Sequence, residues 1–297
     1  DGYFEKGLET TKLCIESVVK TRHQKSFFTV VNNGCCESVT TYLQGLYAKG
    51  QIDQLIHFKE NKGKIDAVIP VARTCSEPLV TISDGDVLFK NGWMQAVESV
   101  YKNFPEAGMV SPVPHGTVYA NYTVNTLFDG FFKGLLRFEQ ACDAGDMLKF
   151  AESIGKKDSM YKKAIRLKYQ LVVKRKNEMA VVGCGHFVST LRKEVFFKAP
   201  DNASNLAYAT QADRQYIDIP NEKSGFWRLA TTGNYAYHMG NTPQKWMIEA
   251  FENLQENEMT DAVKPTSPAT SIVPFFIKSA LIKLLLRGPL KRAWFRI

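Results

Sequence analysis

No run of eighteen apolar residues in this 297-residue chain is free of charge, so no conventional transmembrane helix is expected. Cysteine is sparse. Cys14, Cys35, Cys36, Cys75, Cys142 and Cys184 follow no zinc-ligand spacing, and the adjacent Cys35-Cys36 is not a Cys-x-x-Cys redox pair. Such usage suits reduced thiols in a cytosolic compartment, where the sequons at Asn121 and Asn202 have no part to play. Twelve prolines and twenty glycines are too few for a disordered or collagen-like chain. No internal repeat and no signal-peptide pattern is present. The chain starts at Asp1 without a methionine and enters a helical pattern almost at once, so further sequence upstream is expected.

Acid is also missing, but only locally. The chain carries 38 Lys+Arg against 30 Asp+Glu, a net charge of +8. Residues 273–297 hold six of those cations (Lys278, Lys283, Arg287, Lys291, Arg292 and Arg296) and no acid. The remaining 272 residues therefore carry only +2, which excludes a basic nucleic-acid-binding body. The tail interleaves its cations with Phe275, Phe276, Ile277, Leu281, Ile282 and Leu284 to Leu286, and Pro289 ends its helical pattern. A basic, aromatic-rich amphipathic segment suits an anionic membrane surface, peripheral to the inner face of the membrane. The alternative is a helix packed on the body with its lysines in water.

What is present reads as an α/β protein. Short β-rich runs at 27–31, 54–58 and 79–82 alternate with helical patterns at 4–20, 37–48, 64–73 and 93–104, and a further strand begins at Gly108. That rhythm predicts βαβ units and a mostly parallel, Rossmann-like sheet flanked by helices. After residue 112 the rhythm breaks into a loop over 112–126, helical stretches near 126–141 and 146–170, and a glycine-flanked pair of strands around Gly183 and Gly185. Helices are expected over 207–218 and 243–257, with a strand at 235–237 between them. Loop 112–126 and the lysine-rich stretch 146–176 are candidates for acceptor recognition or lid motion.

The strongest chemical signal is Ser83-Asp84-Gly85-Asp86, directly after the apolar strand 79–82. Ligands of open α/β sheets bind beyond the carboxyl ends of strands, which puts two carboxylates where a ligand is expected. Two acids on a tight turn can face one hard cation, and Mg²⁺ or Mn²⁺ takes one or two carboxylates together with diphosphate oxygens. A polar turn capping the next helix is the simpler explanation of Asp-x-Asp alone; its place after a buried strand favours the metal.

In order along the chain, Asn32-Asn33-Gly34, Asn61-Lys62-Gly63-Lys64-Ile65-Asp66-Ala67, Asp84-Gly85-Asp86, Ala212-Asp213 and His238-Met239-Gly240-Asn241 resemble the motif series of inverting family-2 glycosyltransferases with a GT-A fold. The resemblance covers roughly residues 3–245. It implies a nucleotide-sugar-binding half over 1–111, lacking the family's first strand, an acceptor-binding half over 112–262, and a linker and tail over 263–297.

By that resemblance Asp84 and Asp86 line a metal–diphosphate site with His238 as a further ligand, while Asn32, Asn61, Gly63 and Asp66 lie along the nucleotide. Asp213 falls in the slot of the general base, with Asp218 as its rival. The implied reaction is transfer of a sugar from a nucleotide-diphosphate donor to a hydroxyl of a glycan, lipid-linked saccharide or protein, with inversion. The chain departs from the family pattern at Asn32, where an acid is usual, and at Ala212, where a glutamate is usual. Those departures leave open a catalytically silent nucleotide-sugar- or glycan-binding protein. A metal-dependent nucleotidyltransferase is the other alternative, and it would carry a Gly-rich phosphate loop near its first strand.

Overall fold

The computed structural model describes residues 7–162, 164–204, 209–256 and 265–286. Its first part runs α1 (Gly7–Thr21), β1 (Thr29–Asn33), α2 (Glu37–Ala48), β2 (Gln54–Phe58), α3 (Lys64–Thr74), β3 (Leu79–Ser83), β4 (Val87–Phe89), α4 (Trp93–Asn103) and β5 (Ala107–Ser111). The middle consists of α5 (Val124–Phe132), β6 (Leu136–Glu139), α6 (Ala144–Ser153), α7 (Lys157–Met160), α8 (Ile165–Lys168), β7 (Gln170–Arg175), β8 (Glu178–Val182) and β9 (Val188–Arg192). A 3-10 turn at Lys193–Lys198 leads to α9 (Ala209–Asp213), a π-helical turn at Arg214–Asp218 and α10 (Ile219–Lys223). The last elements are β10 (Trp227–Ala230), β11 (Ala236–His238), α11 (Lys245–Glu252) and α12 (Phe275–Leu285).

The fold is mixed α/β, with helices flanking a seven-stranded sheet of order β3-β9-β5-β10-β8-β7-β6. Within that sheet only β5 and β10 pair in parallel; the other neighbours are antiparallel. A mostly parallel sheet is therefore not what forms. The βαβ rhythm locates the early strands but not their neighbours. β9, from much later in the chain, inserts antiparallel between β3 and β5 and so separates the strands that the rhythm would have made adjacent. Its buried Arg192 is satisfied there by the carbonyls of Ala107 (2.7 Å), Pro105 and Thr266. β1 and β2 form a separate parallel pair, and β4 and β11 a separate antiparallel one.

The expected helix over 126–141 is also shorter than its pattern. Gly134, at φ +64°, follows α5, and β6, β7 and β8 then form an antiparallel meander. The lysine-rich stretch 146–170 breaks into α6, α7 and α8. The expected halves share one sheet: β3 and β5 precede residue 112, and the other five strands follow it.

All five residues of β5 are buried. Ala107 and Val110 pack with Trp227 and Leu229 of β10, with Val97, Val100 and Tyr101 of α4, and with Leu127 and Phe128 of α5. Ile282 of α12 completes that cluster, so the tail helix is part of the core wall. Its Lys278 is not in water. The ammonium is 1% exposed, pairs with Asp129 at 3.1 Å and donates to Asn125 Oδ1 at 3.0 Å. Arg287, Pro289, Lys291, Arg292, Arg296 and the expected boundary at residue 262 lie outside the described residues. Among the described residues no helix is long and apolar enough to cross a membrane.

Candidate functional site

Two loops after parallel strands meet first. The Asn33 side chain accepts from Lys62 N (2.9 Å) and donates to Asn61 Oδ1 (3.0 Å), which also accepts from Gly63 N (2.8 Å). Gly34 allows this approach: its φ is +74°, and a Cβ there would stand 2.7 Å from Asn61 N. Asn61 and Gly63 remain exposed on the joined loops. Asn32 is turned inward instead. It is buried, donates to Thr40 Oγ1 (2.8 Å), contacts His57 Nδ1 (3.1 Å) and accepts from Cys35 N (2.8 Å). Asp66 likewise holds a loop, accepting from Ser204 N (2.8 Å) and Ser204 Oγ (2.7 Å).

The acidic turn is fixed from three sides. Asp84 N donates to Phe187 O at 2.8 Å, at the edge where β3 pairs with β9. Asp86 O accepts from Met239 N at 2.7 Å, and the β4–β11 register sets His238 opposite Val87. Beneath, α1 supports β4 through the bond from Phe89 N to Ser17 Oγ (3.0 Å). Asp84, Gly85, Asp86, Gly240 and Asn241 thereby line a cavity of about 340 Å³ together with Gly7, Thr10 and Thr11 of α1.

The structure brings Asp86 and His238 together, with His238 Nε2 at 3.4 Å from Asp86 Oδ2. Asp86 Oδ1, His238 Nδ1 and Thr10 Oγ1 are buried without a hydrogen-bond partner. Burial pushes the Asp86 carboxyl above its ordinary range and Asp84 adds to this, while His238 and Lys64 oppose it. Asp84 is already neutralised: its Oδ1 lies 2.6 Å from Lys64 Nζ. Among the described residues no three His, Cys, Asp or Glu side chains are drawn together as a metal cluster. The unpartnered Asp86 oxygen beside His238 is nevertheless the environment that a hard cation would relieve.

Lys64, the first residue of α3, joins this turn to Asp213 and to the segment that carries His186. Its ammonium also donates to His186 O (2.9 Å) and stands 3.9 Å from Asp213 Oδ1. Burial lowers its basicity, but Asp84 and Asp213 outweigh that and hold it above its ordinary value. Asp213 is buried, and burial raises its carboxyl against the pull of Lys64 and His186. Asp218, the rival base, is only 1% exposed at its side chain. Both its oxygens lie 2.8 Å from His186 Nε2, and Oδ1 is 3.1 Å from the buried Arg228 guanidinium.

Lys64 and His186 were not among the residues singled out from the sequence, and each was hidden in its own way. Lys64 lies inside the Asn61–Ala67 loop motif, at one of its variable positions. His186 follows the tight connection Gly183-Cys184-Gly185, where Gly183 (φ +109°) leaves no room for a Cβ against Val118 Cγ2. That geometry depends on residues far apart in sequence. No protein-family model and no curated protein matches this chain at a significant level.

Proposed function

We propose that the chain is a GT-A-like glycosyltransferase that moves a sugar from a nucleotide-diphosphate donor to a hydroxyl, with inversion. The observation that carries this reading is the convergence of Asp84, Asp86, His238 and Asp213 from three separate chain segments, with Lys64 from a fourth bridging Asp84 and Asp213. Asn61 and Gly63 on the exposed loops offer a contact for the nucleotide, and the cavity beside Asp86 a place for the diphosphate. A Mn²⁺ or Mg²⁺ ion held by Asp86 and His238, with Asp84 beside them, would stabilise the negative charge of the departing diphosphate. Lys64 places one positive charge between the two acids, 2.6 Å from Asp84 Oδ1 and 3.9 Å from Asp213 Oδ1. The proton of the attacking hydroxyl falls to the group around Asp213 and Asp218.

Incubation with a panel of nucleotide-diphosphate sugars and Mn²⁺ tests this directly. Slow release of the nucleoside diphosphate from at least one donor, lost on chelation, is the expected result. No release, no transfer and no nucleotide-dependent rise in melting temperature would remove the enzyme reading and favour a silent binding protein. Formation of a nucleoside triphosphate and a sugar phosphate on addition of pyrophosphate would instead favour a nucleotidyltransferase.

The acceptor in this reading is a membrane-proximal glycan, with α12 resting peripherally on an anionic lipid surface. Phe276 and Leu284 are 73% and 58% exposed, and Lys283 shares the helix. Large apolar side chains on a basic helix suit insertion at the headgroup boundary. Flotation with liposomes containing anionic lipid should recover the intact protein but not the Phe276→Ser/Leu284→Ser variant. Equal recovery of the two would defeat the membrane contact.

A further inference from the structure

Beyond the carboxylate turn and the tail helix, two groups of residues stand out: the basic pocket of Lys198, Arg214 and Lys223, and the His186–Asp218 pair. The last carries the furthest. Asp218 cannot touch an acceptor, because its side chain is 1% exposed and both oxygens are occupied by His186 Nε2 and the Arg228 guanidinium. His186 is different. Its side chain is 26% exposed, its backbone carbonyl is bonded to the same Lys64 ammonium that meets Asp84, and its Nδ1 has no hydrogen-bond partner among the described residues. Arg228 is itself locked, donating to Cys184 O (2.7 Å) and Asn121 O (2.8 Å), so the carboxylate that orients the imidazole is held rigidly. A buried carboxylate bonded to one ring nitrogen fixes the tautomer and leaves the other nitrogen as a proton acceptor.

Resting on the transferase reading, we propose that His186 is the residue that takes the proton from the attacking hydroxyl, and that Asp218 is its positioning residue. In the step, the hydroxyl oxygen forms its bond to the anomeric carbon as its proton passes to His186 Nδ1. The bond from that carbon to the donor's diphosphate oxygen breaks, and the electron pair leaves with the nucleoside diphosphate. The imidazolium, paired with Asp218, then returns its proton to solvent. Asp213 is less suited to this step. Its side chain is 8% exposed, and its Oδ1 faces the Lys64 ammonium across 3.9 Å.

The test uses the nucleotide sugar that the donor panel identifies, with water as the acceptor and the released nucleoside diphosphate as the binding probe. His186→Ala should slow hydrolysis by about 100-fold or more while calorimetric affinity for the nucleoside diphosphate stays within about two-fold. Added imidazole should restore part of the rate in His186→Ala, which a merely structural loss would not allow. Asp218→Asn should lower kcat without changing affinity, and should add nothing in the His186→Ala background. His186→Gln, with a melting temperature near that of the parent, guards against a folding defect. Parent-like turnover in His186→Ala, or a loss that imidazole does not restore while Asp213→Asn abolishes turnover, overturns the assignment and returns the role to Asp213. An unmutated protein that neither hydrolyses nor binds any donor overturns the transferase reading itself, and this proposal with it.

Discussion

Asp86→Ala is expected to abolish Mn²⁺-dependent binding of the nucleoside diphosphate and to lower turnover by about 1000-fold, yet to raise the melting temperature of the ligand-free protein. The two effects have one cause. Asp86 keeps an unpartnered buried oxygen, Oδ1, and burial lifts its carboxyl above the usual range. A raised folded-state value means that the folded protein binds the proton more tightly than the unfolded chain does. Stability therefore falls as pH rises from the unfolded value through the folded one, and stays reduced at neutral pH. Removing the carboxylate removes that penalty, so the gain should be present at pH 7 and absent well below the ordinary carboxylate range. Asp84 is a useful contrast, because Lys64 already compensates it at 2.6 Å. Thermal melts of the parent and of Asp86→Ala, with and without Mn²⁺ and nucleotide, measure both effects together. Unchanged nucleotide affinity in Asp86→Ala would remove the site, and a lower ligand-free melting temperature would show that Asp86 is structurally satisfied after all.

The early elements were legible because each is a local pattern. The expected strand 54–58 is β2, the expected helix 37–48 is α2, and 64–73 and 79–82 fall within α3 and β3. Position along the chain was enough to put Asp84 and Asp86 on a turn after a buried strand. Neighbour relations were not local, and there the reading failed. β9 is held in place by five residues of β3 and by β5, and Val188–Arg192 says nothing on its own about either partner. β4 and β10 were missed for a similar reason: they are short, three and four residues long, and wholly buried, so they have no alternation to read. The site divides the same way. Asp86 and His238 meet because β4 pairs with β11, which fits the motif order. Asn32 and Asp66 sit in the expected motifs but spend their side chains on Thr40, His57, Cys35 and Ser204. Motif position locates a backbone; it does not say which way a side chain's hydrogen bonds point.

Lys278→Met should destabilise the protein by about 3–5 kcal/mol, far more than an ordinary tail substitution. Composition counted Lys278 among six interchangeable tail cations, but packing singles it out. Its ammonium meets Asp129 at 3.1 Å, with both side chains almost wholly buried, and Asp129 Oδ2 also accepts from Trp227 Nε1 at 3.0 Å. Without the lysine, Asp129 becomes a buried carboxylate whose remaining side-chain partner among the described residues is the Trp227 indole N–H. An uncompensated charge there costs several times what the intact pair contributes. Asp129→Asn in the Lys278→Met background keeps an acceptor for Trp227 and removes the charge, so it should recover most of the loss. Lys283→Met, on the same helix and in no ion pair among the described residues, should shift the urea midpoint little. Equilibrium unfolding in urea with comparable slopes decides the matter, and equal midpoints for Lys278→Met and Lys283→Met would contradict it. The consequence for function is concrete. Deleting residues 273–297 would strip Lys278 from Asp129 and Ile282 from the core along with any lipid-binding face. A truncated protein that fails to float with liposomes would therefore report lost folding as readily as lost membrane contact, which is why the exposed Phe276 and Leu284 are the residues to change.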